Sequence, residues 1–344
     1  MVMAKVRCSS SRLVGSTPVV GAHAAKVLVA TSLVLAALLA GLSSPAVAAK
    51  PGTGGGGHTG GGGTTSATTG NDLSYPACGS TFPSAPAFGI VGVDGGLAND
   101  LNPCLGPSSS YPSYTESELY WAVASSTGAT AQPKASLYVN TADPGDLYDG
   151  TPIADWPTSS ISSDPYGTCT TTTVSTTSGD ETLGANTPGC AWQYGYDMAT
   201  QDVSWVAGAA GAIDQQLASA VVPVSASAYP WWLDVETANT WQTGTSGEEM
   251  NVADLEGMVA ALQAGGAPVV GVYSTSSQWD QITGGTTSST LYGVPDSLYG
   301  VPDWIPGAKT ESGAVSNCGQ ASFTVGSVSL TQWSGHPDDG DYAC

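Results

Sequence analysis

Two carboxylates one residue apart, Asp234 and Glu236, end the apolar run in "YPWWLDVETANTW", Tyr229 to Trp241. Acidic residues are depleted in strands and are rarely buried without a use. Along a strand, residues two apart face the same way. Trp232, Asp234 and Glu236 therefore share one face, and Trp231, Leu233 and Val235 share the other. Like charges crowded in a partly dry site raise one pKa, keeping one carboxyl protonated as an acid while its neighbour ionises. Paired carboxylates of this kind are what cleavage of a glycosidic bond uses. Trp232 and Trp241 are placed to stack on a sugar ring. The plainer reading is that both acids cap the loop and helix that follow.

Other chemistries lack their parts. Beyond Asp72 the chain has one histidine, His336, so a Ser-His-Asp or Cys-His arrangement would hang on that residue, and no GxSxG elbow occurs. Histidine-based zinc sites are excluded on the same ground. The stretch "HPDDGD", His336 to Asp341, has the composition of a calcium loop but not its spacing or closing glutamate. No metal and no cofactor is implied. All 28 Asp and Glu lie at or beyond Asp72, against two lysines, Lys134 and Lys309, and no arginine, a net charge of −26. Such a surface repels nucleic acid and anionic lipid, and neither is expected as a partner.

Positioning the pair requires a frame. Strands are expected at Phe88–Val93, Ala135–Asn140, Cys190–Tyr196, Tyr229–Glu236, Ala267–Tyr273 and Ser327–Trp333. Helices are expected at Glu116–Ser126, Asp202–Val221 and from Asn251, as N-cap, to Gly265 or Gly266. This alternation predicts an α/β fold, a single (β/α) TIM-like barrel, since a doubly wound sheet would lack its GxGxxG loop. Two carboxylates at the C-terminal end of a barrel strand then lie where such barrels place their active sites. Long inserted loops are expected at Cys104–Tyr114 and Asp143–Pro188, and the LYGVPD repeat at Leu291 and Leu298 reads as a duplication in a surface loop.

Residues 1–49 read as a signal peptide, with Lys5, Arg7, Arg12 and Lys26 before an apolar run, Val27 to Leu42, and small residues before Lys50. Residues 50–72 read as a flexible Gly/Thr linker and 73–344 as one domain. The mature protein is expected to be secreted, monomeric and free of the membrane. Six cysteines follow the signal, and an even count in a secreted chain reads as disulfides. Six allow 15 connectivities. Sequence neighbours, Cys78–Cys104, Cys169–Cys190 and Cys318–Cys344, are favoured because each pair brackets one loop-like segment.

In order along the chain, "FGIVGVDGG", "WWLDVET", "GVYSTSSQW" and "LTQWSG…DGDY" resemble glycoside hydrolase family 25, the lysozyme-like N-acetylmuramidases. They also resemble a divergent secreted actinobacterial group with that barrel. The resemblance implies a glycosidase acting on peptidoglycan or a related N-acetylated cell-wall glycan. It matches Asp94 to the family's first-strand aspartate and makes Glu236 the general acid. Asp234 becomes the ionised partner that stabilises oxocarbenium-like charge or orients the N-acetyl group. Asp341 matches the aspartate after the last strand, with Asp338 and Asp339 close by, and Tyr194, Tyr273 and Trp333 fall to the substrate cleft. "GVDGG" departs from the family's GIDVS-like opening, which bears on the substrate more than on the fold. A catalytically silent barrel that binds glycan or serves as a surface module is the alternative.

Overall fold

The computed structural model describes residues 68–344 apart from 97, 144–146, 149–150, 153–155, 177–178, 286–287 and 336–337. The signal peptide, most of the Gly/Thr segment and His336 lie outside the described residues. What is described belongs to the unit Gly62–Cys344. Eight strands close into a barrel: β1 (Gly70–Leu73), β2 (Gly89–Gly92), β3 (Ala135–Asn140), β4 (Trp231–Asp234), β5 (Val270–Tyr273), β6 (Asp303–Ala308), β7 (Val328–Trp333) and β8 (Asp339–Ala343). Strands β1 to β7 run parallel in sequence order around the barrel. Strand β8 is antiparallel to both β7 and β1 and completes the ring. Helices α1 (Glu118–Ser125), α2 (Pro188–Leu217), α3 (Gly244–Ala264), α4 (Ser276–Thr283) and α5 (Glu311–Asn317) occupy the successive crossovers from β2 to β7. None of the described helices is long and apolar enough to cross a membrane.

The strands are apolar because both faces are covered. In β3, Leu137 and Val139 face outward with Trp231, Leu233 and Val272, packing on Leu119, Ile213, Leu255 and Val259 of the helices. Tyr138 faces the lumen, where Phe88, Ile90, Trp232, Trp304 and Leu330 fill the barrel's lower half. Gly271 is required beside that plug, since a Cβ there would run into the Trp232 ring. Disulfides join Cys78–Cys104, Cys169–Cys190 and Cys318–Cys344, the sequence-neighbour pairing.

Three expectations change, and a fourth gains detail. Cys190–Tyr196 is not a strand but the first two turns of α2, capped by Thr187 and begun by Pro188. Every residue from Gly189 to Gly195 is buried, so no polar face marks the helical period. Helix α3 starts at Gly244, and Asn251, expected as its cap, lies buried inside it, donating to Gln242 O and Ile282 O. Gly70, Asn71 and Asp72, read as linker, form β1, held on both sides by β2 and β8. The LYGVPD repeat runs along a largely exposed connection, yet both of its aspartates turn inward. Its first aspartate, Asp296, is buried and accepts from the Leu298 and Tyr299 N–H groups. Its second, Asp303, opens β6 fully buried and accepts from Phe323 N and Thr324 Oγ1.

Several buried acids hold the outer layers together. Glu118, at the start of α1, accepts from Ala77 N at 2.6 Å and Asn102 Nδ2 at 2.7 Å. Glu256, on α3, accepts from Tyr166 OH at 2.8 Å and Ser297 N at 3.0 Å, tying two surface segments to the helix. Burial pushes each of these carboxyls up to about 7 despite the donors.

Two predictions follow from this frame. A chain beginning at Ser74 lacks β1 and leaves β2 and β8 unpaired on one side. Relative to a chain beginning at Gly62, its thermal melt should fall by about 10 °C or more, several kcal/mol for a domain of this size. Equal melts would show that β1 does not hold the barrel closed. The second concerns pH. A carboxyl raised on folding keeps a proton that the unfolded chain releases, so its contribution is full below the unfolded pKa and is lost as pH rises through the folded one. Between about pH 4.5 and 7 the folded protein binds more protons at Glu118 and Glu256, and stability should fall across that window. The melting temperature at pH 5 should exceed that at pH 7.5; the reverse order would contradict the burial of these groups.

Candidate active site

A cleft of about 280 Å³ opens at the barrel mouth where the parallel strands end. One wall is built from the ends of β3, β4 and β5: Asn140, Asp234, Glu236 and Tyr273. Asp234 is the last residue of β4 and lies in register with Asn140 of β3 and Tyr273 of β5. The chain beyond it is pinned at each step. Thr141 Oγ1 donates to Asp234 O at 2.6 Å, Val235 N to Tyr273 O at 2.9 Å, and Ser274 Oγ to Val235 O at 2.7 Å. The Trp241 indole N–H donates to Glu236 O at 2.9 Å, which sets the turn that carries Glu236 to the rim.

The opposite wall comes from β1 and β8. Asp72 and Asp339 are register partners there, and Ser74 and Tyr75 follow β1 into the cleft. Asp72 accepts from Ser74 Oγ at 2.8 Å and from Gln332 Nε2 at 2.9 Å, while Gln332 Oε1 accepts from Tyr273 OH at 3.0 Å. A hydrogen-bonded line thus crosses the cleft from β1 to β5. Trp304 of β6 closes the floor.

The electrostatics are one-sided, with four carboxylates and no cation among the lining residues. Asp234 is raised well above the usual carboxylate range, first by burial and then by the charges of Glu236, Asp72 and Asp94. Its Oδ1 is buried without a hydrogen-bond partner, as is the Nδ2 of Asn140. Burial also raises Asp72, against the pull of Gln332 and Ser74. Burial raises the Tyr273 phenol too, followed by the charges of Asp234 and Glu236.

The remaining expected residues take other places. Asp94 is buried beside the cleft rather than lining it, its Oδ2 accepting from Asn140 N at 2.8 Å, and burial pushes it up to about 8. Asp341 is buried below the cleft, accepting from Trp304 Nε1 at 2.9 Å, and burial followed by the charge of Asp72 raises it well above the usual range. Trp232 points inward as its strand period requires, but it packs edge-on to Trp304 in the barrel plug. Trp241 is buried under the β4 turn, and Tyr194 lies on α2 against Trp156. Trp333 lies over Gly340, where a Cβ would clash with its ring. Of the residues assigned to a sugar site, Asp234, Glu236 and Tyr273 meet in the cleft. Asp339, named beside Asp341, lines the cleft in its place, and Asp72, Asn140, Trp304 and Gln332 join without a sequence assignment. One signal for Gln332 was available: a strand carrying Leu330 inward brings Gln332 inward two residues on and turns Trp333 away.

Among the described residues no group of three or more His, Cys, Asp or Glu is placed to hold a metal ion. The arrangement suits proton transfer to and from a ligand laid across the mouth between two acidic walls. No family model matches the chain, and no solved structure matches it. Two curated proteins of Dictyostelium discoideum do. Probable GH family 25 lysozyme 2 is 42% identical over 61 residues, 18% of this chain and 26% of that protein. Probable GH family 25 lysozyme 4 is 34% identical over 99 residues, 26% of this chain and 44% of that protein. The matches span less than half the length of either relative, and over that part they relate the chain to family 25 lysozymes.

Proposed function

We propose that this chain is a secreted glycoside hydrolase that cleaves an N-acetylated glycan of the peptidoglycan type. The observation that carries the reading is the meeting of Asp234 and Glu236 in one cleft at the barrel mouth. The partial likeness to proteins named as family 25 lysozymes supports it. Glu236, on the rim, donates its proton to the glycosidic oxygen as the bond to the anomeric carbon breaks. Asp234, deeper in the wall, faces the positive charge that develops on the sugar and orients the acetamido group. Tyr273 and Trp304 offer ring surface to the saccharide. Water supplies the group that replaces the leaving sugar, and a carboxylate of the pair recovers the proton. Asp94 and Asp341 act on this pair from behind and below rather than on the substrate.

Glu236→Gln keeps the size of the side chain and removes its acid. It should lower sugar release from purified cell walls by about 10²-fold or more with the melting temperature and glycan affinity retained. Equal background release by wild type and variant would leave a barrel that binds glycan without turnover.

The pH profile tests the same assignment. Glu236 adds its charge to the burial of Asp234, and one proton has to stay in the site for catalysis. Asp234 is raised, so it keeps a proton above the ordinary carboxyl range and loses it as pH climbs through the raised value. Activity should therefore be greatest on the acid side of neutrality and fall on the alkaline side. Added salt screens the charges that raise Asp234 and should move the alkaline limb to lower pH. Rates measured across pH at two ionic strengths check this, and a limb that ignores salt counts against the paired-carboxylate mechanism.

A further inference from the structure

Asn140 and Asp234 are side-by-side residues at the ends of β3 and β4, and both line the cleft. Asn140 is 9% exposed and its Nδ2 has no hydrogen-bond partner; the Oδ1 of Asp234 has none either. Buried polar atoms are normally paired, and leaving one unpaired costs more than a hydrogen bond returns. Here an unpaired donor and an unpaired acceptor belong to register partners that line one cavity. Their neighbours are already committed: Tyr138 OH donates to Leu73 O at 3.1 Å, and Tyr273 OH donates to Gln332.

We infer that Asn140 is a specificity-determining residue that reads the 2-acetamido group of the sugar seated against Asp234. An acetamido group presents one carbonyl and one N–H on a single rigid plane. The carbonyl takes the Asn140 amide donor and the N–H takes Asp234 Oδ1. A 2-hydroxyl also donates and accepts, but from one oxygen on a shorter arm, and does not span both atoms as the separated N–H and carbonyl do.

The spacing of this pair is fixed from outside the cleft. Asp94 Oδ2 accepts from Asn140 N at 2.8 Å, and Thr141 Oγ1 donates to Asp234 O at 2.6 Å. One bond sets the height of Asn140 and the other locks the end of β3 to the end of β4. Asp94 is therefore a positioning residue for Asn140, which explains why an acid buried beside the cleft contributes without touching sugar. This inference rests on the cleft being a glycan site.

The test uses full-length protein carrying Glu236→Gln, so that ligand persists. Binding of a β-1,4 N-acetylglucosamine tetramer is compared by calorimetry with binding of the β-1,4 glucose tetramer, which differs in the 2-substituent. The parent should bind the acetamido ligand about tenfold tighter or more, the scale of one or two neutral hydrogen bonds. Adding Asn140→Ala should bring the two affinities to within about threefold. Asn140→Asp, which keeps the shape without the amide donor, should do the same and covers the case in which the alanine variant does not fold. Asp94→Asn still offers an oxygen to Asn140 N and should keep the preference, whereas Asp94→Ala should weaken it. A preference that survives both Asn140 substitutions overturns the inference, as does equal binding of the two ligands by the parent. If wild type releases sugar from cell walls in that case, the glycosidase reading stands and only the role of Asn140 falls. If it neither binds nor cleaves, both fall together.

Discussion

From Asp72 onward the chain has 28 carboxylates and two ammonium groups, so an acid that folding takes out of water has to find N–H and O–H donors or keep its proton. An unpaired buried carboxylate costs several kcal/mol. The fold meets this with neutral donors. Asp296 gathers the local N–H groups of Leu298 and Tyr299, and Asp303 takes the Phe323 N–H and the Thr324 hydroxyl from further along the chain. Glu118 and Glu256 are bonded by one N–H each from a distant segment together with an amide or a phenol. Neutral donors offset only part of the desolvation, and buried acids across the molecule are shifted upward. Acids that in most domains are held by arginine are held here by main-chain N–H groups, amides and hydroxyls.

The same condition operates inside the barrel with a sharper outcome. Below the mouth, Phe88, Ile90, Trp232, Trp304 and Leu330 exclude water from the lumen. The carboxyls of Asp234 and Asp341 sit against that plug, so the low dielectric that makes them costly also makes their protons available. Packing under the site and chemistry in the site are therefore one design. A smaller residue at Trp304 would remove the floor of the cleft and the hydrogen bond to Asp341 together.

How much of this was legible depended on burial. Strands β2, β3, β4, β5 and β7 announce themselves as apolar runs because both their faces are covered, and α1 is found within two residues. Strand β1, "GNDL", and β8, "DGDYA", carry almost no strand propensity; they form because neighbouring edges offer them hydrogen bonds. Helix α2 was disguised by an opening stretch covered on all sides, although Thr187 and Pro188 formed a readable start signal. At the site, the DxE pair was visible because acids after aromatics are out of place. Asn140 and Gln332 were not, since a polar residue at a strand's end is ordinary, and only the closed barrel shows which ends converge.

The strand that opens the barrel sequence is paired with the strand that ends it: Asn71 Nδ2 donates to Asp339 O across 268 positions. Contacts so far apart along the chain form late, after the entropy of closing a very long loop has been met. Until β8 is in place, β1 and β7 stand as bare edges, and the wall opposite Asp234 lacks its outer strand. The cleft is in this sense a record of chain completion. A molecule that lacks β8 keeps its DxE pair in sequence and loses Asp339 and the strand that closes the barrel opposite it.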